Sequence, residues 1–370
     1  MVDRRSSNHS LRYPSLNPLK ISGTTLPPNV LLAAKLLALC VIFRGELAVL
    51  PDHFLPFIPV LQHLGSAAAF HRALQVIAAV AAIGVLFNRW VRTASGILGV
   101  VFVLAILSSQ AYFHNNRLYV GIFFLIVGIY DHRVGTFILR GQLAVIYLGA
   151  ALNKVLDPDW RSGAFIQNWL PHSLPSYPRL TSLLPGMALS FLLGWTGILT
   201  EMILVPLILV WRFLPVGIFL GVAYHTLLLT LTGSTFNMFW YALMASYIAL
   251  LQWPSEVLVR YTPSRWLHRL IHRVLGRADL DGRIRWLTHQ AGSLEAQVND
   301  AIYPGVAALA RMVLYSPMVY FAATALITLL PHGRTLIPPI VLPVLAGIAY
   351  GAAAKRVVAS SVRPTAGGGP

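Results

Sequence analysis

A chain of 370 residues with 56% hydrophobic and 11% charged side chains, and a mean hydropathy of +0.68, has too little polar surface for a soluble protein of that length. Its 28 lysines and arginines against 12 acids serve orientation and anionic lipid in such a chain, and no nucleic-acid-binding motif accompanies them. The single cysteine, Cys40, excludes an intramolecular disulfide and a thiolate metal cluster.

Residues 1–29 are basic and Ser/Pro-rich and lack the short apolar core and small-residue cleavage site of a signal peptide, so they read as a disordered cytoplasmic tail. Apolar runs that approach or reach the ~20 helical residues needed to cross a bilayer follow near 30–50, 70–88, 94–113, 117–131, 135–155, 186–211, 213–232, 235–252, 308–330 and 336–354. These runs predict an all-α polytopic bundle of about ten transmembrane helices in the cell membrane. With the N-terminus inside, nineteen lysines and arginines fall on inner segments and five on outer ones. That bias predicts both termini in the cytoplasm.

Between 254 and 307 the apolar pattern breaks. Thr262 suits a helix cap, Pro263 a first turn and Gly276 an end. Leu267, Leu270, Ile271, Val274 and Leu275 form an apolar stripe with Arg265, His268, Arg269, His272 and Arg273 opposite, which predicts an in-plane helix over 262–276 on the anionic inner leaflet. His268 and His272 stand at i, i+4, but no third ligand accompanies them, so no metal is expected. Residues 308–357 read as a transmembrane hairpin and 358–370 as a flexible tail.

On this topology the intramembrane polar residues gather at the outer face. Arg44 and Glu46 lie near the end of the first span, His114, Asn115, Asn116 and Arg117 in the turn before the fourth, and Lys154 at the end of the fifth. His225 lies in the outer half of the seventh span and Asn237 opens the eighth. An ionisable group in a membrane helix is a functional-site hypothesis by default, while a lysine at a helix end can also be a snorkelling anchor. Tyr147 shares the face of Lys154 two turns back, and Tyr241 that of Asn237 one turn on. Glu201, mid-helix in the sixth run, needs a partner. Arg44 and Glu46 are two apart, a spacing at which helical side chains do not face each other.

The block from Arg140 to Phe165, RGQLAVIYLGAALNKVLDPDWRSGAF, resembles a membrane helix and following loop of vitamin K-dependent gamma-carboxylase and its bacterial relatives, the HTTM (horizontally transferred transmembrane) family. Two further blocks, YFHNNRLYVGIFF and YHTLLLTLTGSTFNMFWYALMASYIAL, are similar to the same family, so the resemblance runs from about Val30 to Trp253. It implies that Lys154 is a base on the extracytoplasmic side that deprotonates a reduced naphthoquinone, menaquinol or a vitamin K hydroquinone. In the family, dioxygen and then carbon dioxide follow. Departures are visible: Trp160 stands six residues after Lys154 where the carboxylase has five, and the family's histidine falls at Asn116, beside His114. A basic segment and two apolar runs follow where the carboxylase has a large extracytoplasmic domain.

The resulting expectation is a quinol-dependent membrane enzyme with Lys154, His225 and His114 as catalytic residues. Arg44, Asn116, Arg117, Tyr147, Trp160, Asn237 and Tyr241 would bind the quinol. The partners expected are membrane lipid, the anionic inner leaflet through 262–276, and a protein. The alternatives are a non-catalytic lipid- or quinone-binding subunit and a transporter, against which stands the lack of internal repeats.

Overall fold

The computed structural model describes residues 17–46, 55–63, 66–174, 177–183, 187–232, 237–251, 253–254, 256–289, 292–299 and 301–329. The chain divides between His132 and Arg133 into two units. In the first, α1 (Pro28–Phe43) starts on a proline in its first turn and is buried along most of its length, as an apolar stretch without a polar face must be. It carries Lys35, whose side chain is fully buried. The ammonium donates to the carbonyls of Pro18 at 2.8 Å, Lys20 at 2.7 Å and Leu86 at 2.8 Å. Leu86 is the last residue of α2 (Ala67–Leu86), whose first turn is capped by Ser66, so the lysine completes a helix end with the cation its dipole favours. Helices α3 (Val91–Ser108) and α4 (Asn115–Gly128) pack closely, because a Cβ on Gly99 would lie 2.7 Å from the Leu125 nitrogen.

The second unit opens with α5 (Gly135–Leu156), then three short helices, α6 (Pro158–Ser162), α7 (Ala164–Ser173) and α8 (Tyr177–Thr181). Long helices α9 (Ala188–Leu209) and α10 (Leu214–Thr232) follow, and then α11 (Asn237–Leu250). On α5 one stripe is buried while Phe137, Val145, Leu152 and Leu156 are exposed apolar side chains. A helix apolar on both its packed and its open sides is built for lipid.

Each of the first nine predicted apolar runs contains helix among the described residues, but the count of about ten spans does not follow. Among the described residues five helices are long and apolar enough to cross a membrane, 67–86, 91–108, 135–156, 188–209 and 211–232. A sixth span would be the pair α13 (Val306–Leu314) and α14 (Pro317–Leu329), which is bent by 72°. Residues 28–43, 115–128 and 238–250 form shorter apolar helices. The run at 336–354 lies outside the described residues.

The segment after α11 corrects the all-α expectation. It folds as β1 (Val257–Tyr261), α12 (Trp266–Ala278), β2 (Ile284–Thr288), β3 (Glu295–Val298) and β4 (Ala301–Pro304), in a sheet of order β2-β1-β3-β4. β1 runs parallel to β2 and antiparallel to β3, with Val257 beside Ile284 and Val298. Val257, Val259, Ala296, Val298 and Tyr303 point to one face, where Leu275 of α12 and Ala307, Ala308 and Met312 of α13 complete a core. The other face is open and mixed, with Arg260 3.7 Å from Glu295 and with Leu287 and Ile302 exposed. The predicted single in-plane helix is therefore α12 of a small α/β domain. Ile271 and Leu275 of its apolar stripe pack toward the sheet, leaving Leu267, Leu270 and Val274 exposed. His268, expected on the polar side, is buried, and its Nδ1 accepts the Thr262 N–H at 3.1 Å. His272 stacks on Tyr261 at 4.7 Å, so both histidines serve the domain's packing.

Candidate functional site

Helices α5 and α9 form the frame of the site. Arg140, Leu143, Ala144, Tyr147 and Ala151 fall at helical three- and four-residue spacing and are buried on one face of α5. Across from them α9 buries Gly194, Gly197, Ile198, Glu201, Leu204 and Ile208. At one end of the pair Arg140 reaches the last turn of α9, its Nε donating to the Ile208 carbonyl at 2.9 Å and a terminal nitrogen to that of Leu209. Helix ends leave carbonyls without intrahelical partners, and a guanidinium in the plane of two of them satisfies both. The Trp211 ring lies 5.1 Å from the same guanidinium.

Toward the other end stands Lys154. Its Nζ is 2.5 Å from each carboxylate oxygen of Glu201, with the two side chains 16% and 7% exposed. The mid-helix acid thus has the lysine as its partner. The ammonium also sits 5.0 Å from the centre of the Trp160 ring. Trp160 belongs to α6, which begins at Pro158 after Asp157, whose carboxylate accepts the Asp159 N–H at 2.9 Å. Gly163 ends α6 with φ +85°, and a Cβ there would come within 2.5 Å of the Phe191 nitrogen. Only glycine meets both demands, and the tight turn lays the loop on α9 and fixes the tryptophan over the lysine. Phe165 stacks on Trp160 at 4.3 Å and Trp169 on Phe165 at 5.8 Å, an aromatic wall continuing from the charged pair.

Tyr147, seven residues before Lys154 on α5, begins a second polar cluster. Its hydroxyl bonds that of Tyr247 on α11 and lies 3.5 Å from Nδ1 of His225 on α10. That nitrogen is 2.8 Å from the Gly221 carbonyl, an acceptor only, so Nδ1 carries a proton and donates it there. Tyr224 packs edge-on to the imidazole at 4.9 Å and Phe239 at 5.9 Å.

Four of the expected residues, Lys154, Trp160, Tyr147 and His225, are thus drawn into two adjoining groups. Tyr241 is buried edge-on against Trp240 at 5.3 Å. Asn237 opens α11, and its side chain lies outside the described residues.

The remaining expected residues belong to the first unit and form their own node. Arg117 Nε lies 3.3 Å from Glu46, its guanidinium is 4.1 Å from the Tyr112 ring centre, and Tyr112 donates to the Glu46 carbonyl at 2.7 Å. Arg44 does approach Glu46, at 4.0 Å, contrary to the helical-spacing expectation. The helix ends at Phe43, and Gly45 with φ +61° turns the chain back. His114 is exposed at the head of α4, and the Asn116 side chain accepts the N–H of Arg117 at 2.8 Å.

Comparison with known protein families adds one match. Residues 133–253 match the HTTM domain. No curated protein and no solved structure matches the chain. The HTTM match starts where the second unit starts and ends just after α11, so it contains the Lys154 pair and the His225 cluster in full. The Arg44 and Arg117 node lies before it. Lys35 and Arg140 escaped the sequence-based expectation. A single lysine inside an otherwise uncharged apolar helix was the available signal for the first, and the second was hidden by its place at a helix start, where an arginine reads as topology.

Proposed function

We propose that the HTTM portion is a membrane enzyme module in which Lys154 removes a proton from a lipid-soluble quinol, with Glu201 as the residue that makes a neutral lysine attainable. The observation that carries this is the placement of the ammonium. A snorkelling anchor holds its charge in water, whereas Lys154 turns onto a buried carboxylate beneath an indole ring. In a largely buried site both charges are costly to keep, so moving one proton from Nζ to a Glu201 oxygen would replace the ion pair with a neutral amine and a carboxylic acid. The amine is then the base, and its Nζ takes up the incoming proton.

The side chains present suit a quinol: a flat aromatic wall for its ring, an amine for its hydroxyl and an acid to hold the displaced proton. When bound, the quinol would supply an acidic hydroxyl and, once deprotonated, reactivity toward dioxygen. His225, held by Gly221 and beside Tyr147, would orient the substrate from the adjoining cluster. A second reading, a lipid- or quinone-binding subunit without catalysis, is favoured by the charge balance of the pair, which packs the helices whether or not a proton moves.

Reconstituted protein given reduced menaquinol separates the two. Arginine keeps the charge and the bond to Glu201 but does not deprotonate at workable pH. The base reading expects Lys154→Arg to insert normally and lose quinol oxidation, and Lys154→Ala to regain part of it with small amines. A fully active Lys154→Arg protein would sink the base reading and leave the binding subunit.

A further inference from the structure

On the α/β domain, α12 packs Ile271, Leu275 and His268 toward the sheet and leaves its opposite side open. That open side is ordered. Arg265, Arg269, Arg273 and Arg277 recur every four residues and are all exposed. Beside them runs a second row, Trp266, Leu270 and Val274, also at four-residue spacing and 69%, 45% and 54% exposed, with Leu267 at its edge. The helix contains no acidic residue. A continuous cationic row lying alongside a continuous row of tryptophan and aliphatic side chains is what a helix needs to lie in the headgroup layer, apolar edge down and arginines on lipid phosphates.

The chain also limits where this face can go. Six residues separate Leu250 at the end of apolar α11 from Val257 of β1, a reach of at most about 25 Å. At the other end Gly305 alone separates β4 from α13, which leads to apolar α14. The domain is thus held near the bilayer surface by both of its ends.

We infer that the Arg265 to Arg277 face of α12 docks the α/β domain flat on an anionic lipid surface. The sheet supplies the other half of the helix's burial, so docking uses Trp266, Leu267, Leu270 and Val274 without unfolding the domain. Each arginine adds roughly fivefold to the partition toward such a surface, so the effect is strong and salt-dependent.

The test uses the full chain with Cys40→Ser, carrying a polarity-sensitive fluorophore on Leu270→Cys or, as a control on the sheet's open face away from α12, on Ile302→Cys. Each is placed in nanodiscs of phosphatidylcholine alone or mixed with phosphatidylglycerol. The Leu270 label is expected to be shielded severalfold from iodide and quenched by spin-labelled lipid in the anionic discs. Changing all four arginines to Gln, or raising the salt on the unchanged protein, should reverse both effects, while the Ile302 label stays open to iodide throughout. An Ile302 label that becomes shielded in the four-arginine variant would mark misfolding, and the salt series then decides. Equal iodide access at Leu270 in both kinds of disc would overturn the inference, as would shielding that ignores lipid charge and salt, the mark of a protein contact.

Discussion

One lysine is fully buried and another half-buried in apolar helices of this protein, and their surroundings give them different work. Lys35 is held by three carbonyls from different parts of the chain, which suits the three-way donors of an ammonium better than a planar guanidinium. Lys35→Met is expected to destabilise the detergent-solubilised protein by several kcal/mol, because three hydrogen bonds from a charged group at about 1.5–3 kcal/mol each outweigh the desolvation cost that methionine avoids. Lys35→Arg should lower the melting temperature as well, and thermal unfolding of the two variants checks this. Lys154 is held by a carboxylate, which can take a proton where a carbonyl cannot. Glu201→Gln leaves the ammonium buried without its counter-charge and should cost about 3–5 kcal/mol. The double variant Lys154→Met with Glu201→Leu should recover most of that stability and none of the quinol oxidation. Recovery of both would show that the pair only packs helices.

At the level of elements, α5 and α9 hold the site in register by their ends. Arg140 is the contact that sets the depth of one helix against the other. Arg140→Gln should lower stability by roughly 2–3 kcal/mol, with Arg140→Lys restoring only part, since one ammonium does not span two carbonyls as a guanidinium does. In the α/β domain the element to watch is the turn into α12. His268 accepts the Thr262 N–H and so must be neutral. Burial first, and then the Arg265 cation, hold its imidazole below the ordinary value of 6.5. A folded value below the unfolded one means stability is fully present above about pH 6.5 and is lost as the pH falls from there toward the folded value. Melting curves between pH 5 and 8 should therefore show an acid-side loss that is smaller in His268→Asn. An identical slope in both proteins would count against this role for His268.

For the whole molecule, the charge asymmetry of the loops and the exposure of particular residues make one prediction together. Cysteines placed at Ser162, the last residue of α6, and at Arg285, on β2, are at exposed positions and should be labelled from opposite sides of the membrane. Arg285 is a better reporter than Gly282, whose φ of +63° makes any side chain costly. Labelling of both from one side would reverse the orientation of the α/β domain and the leaflet that α12 meets. Much of the helical architecture was legible in the sequence because hydrophobic transfer acts residue by residue, and a long apolar run is costly in water wherever it occurs. The unusual position of Lys154 was legible for the same reason, as a charge where a charge is expensive. The four-stranded sheet was not, since strands of four or five residues such as Val257–Tyr261 carry too short a pattern to compete with the strong amphipathic signal of α12. Local pattern likewise placed Leu275 and Val274 together on one apolar stripe, and only the sheet's position sends the first inward and leaves the second open. The sequence alone determined which residues could not lie in water or in hydrocarbon unpaired. Their partners, Glu201 for Lys154, the Pro18, Lys20 and Leu86 carbonyls for Lys35 and the end of α9 for Arg140, were decided by tertiary structure, because each pairing joins positions distant in the chain that only packing brings within hydrogen-bond reach.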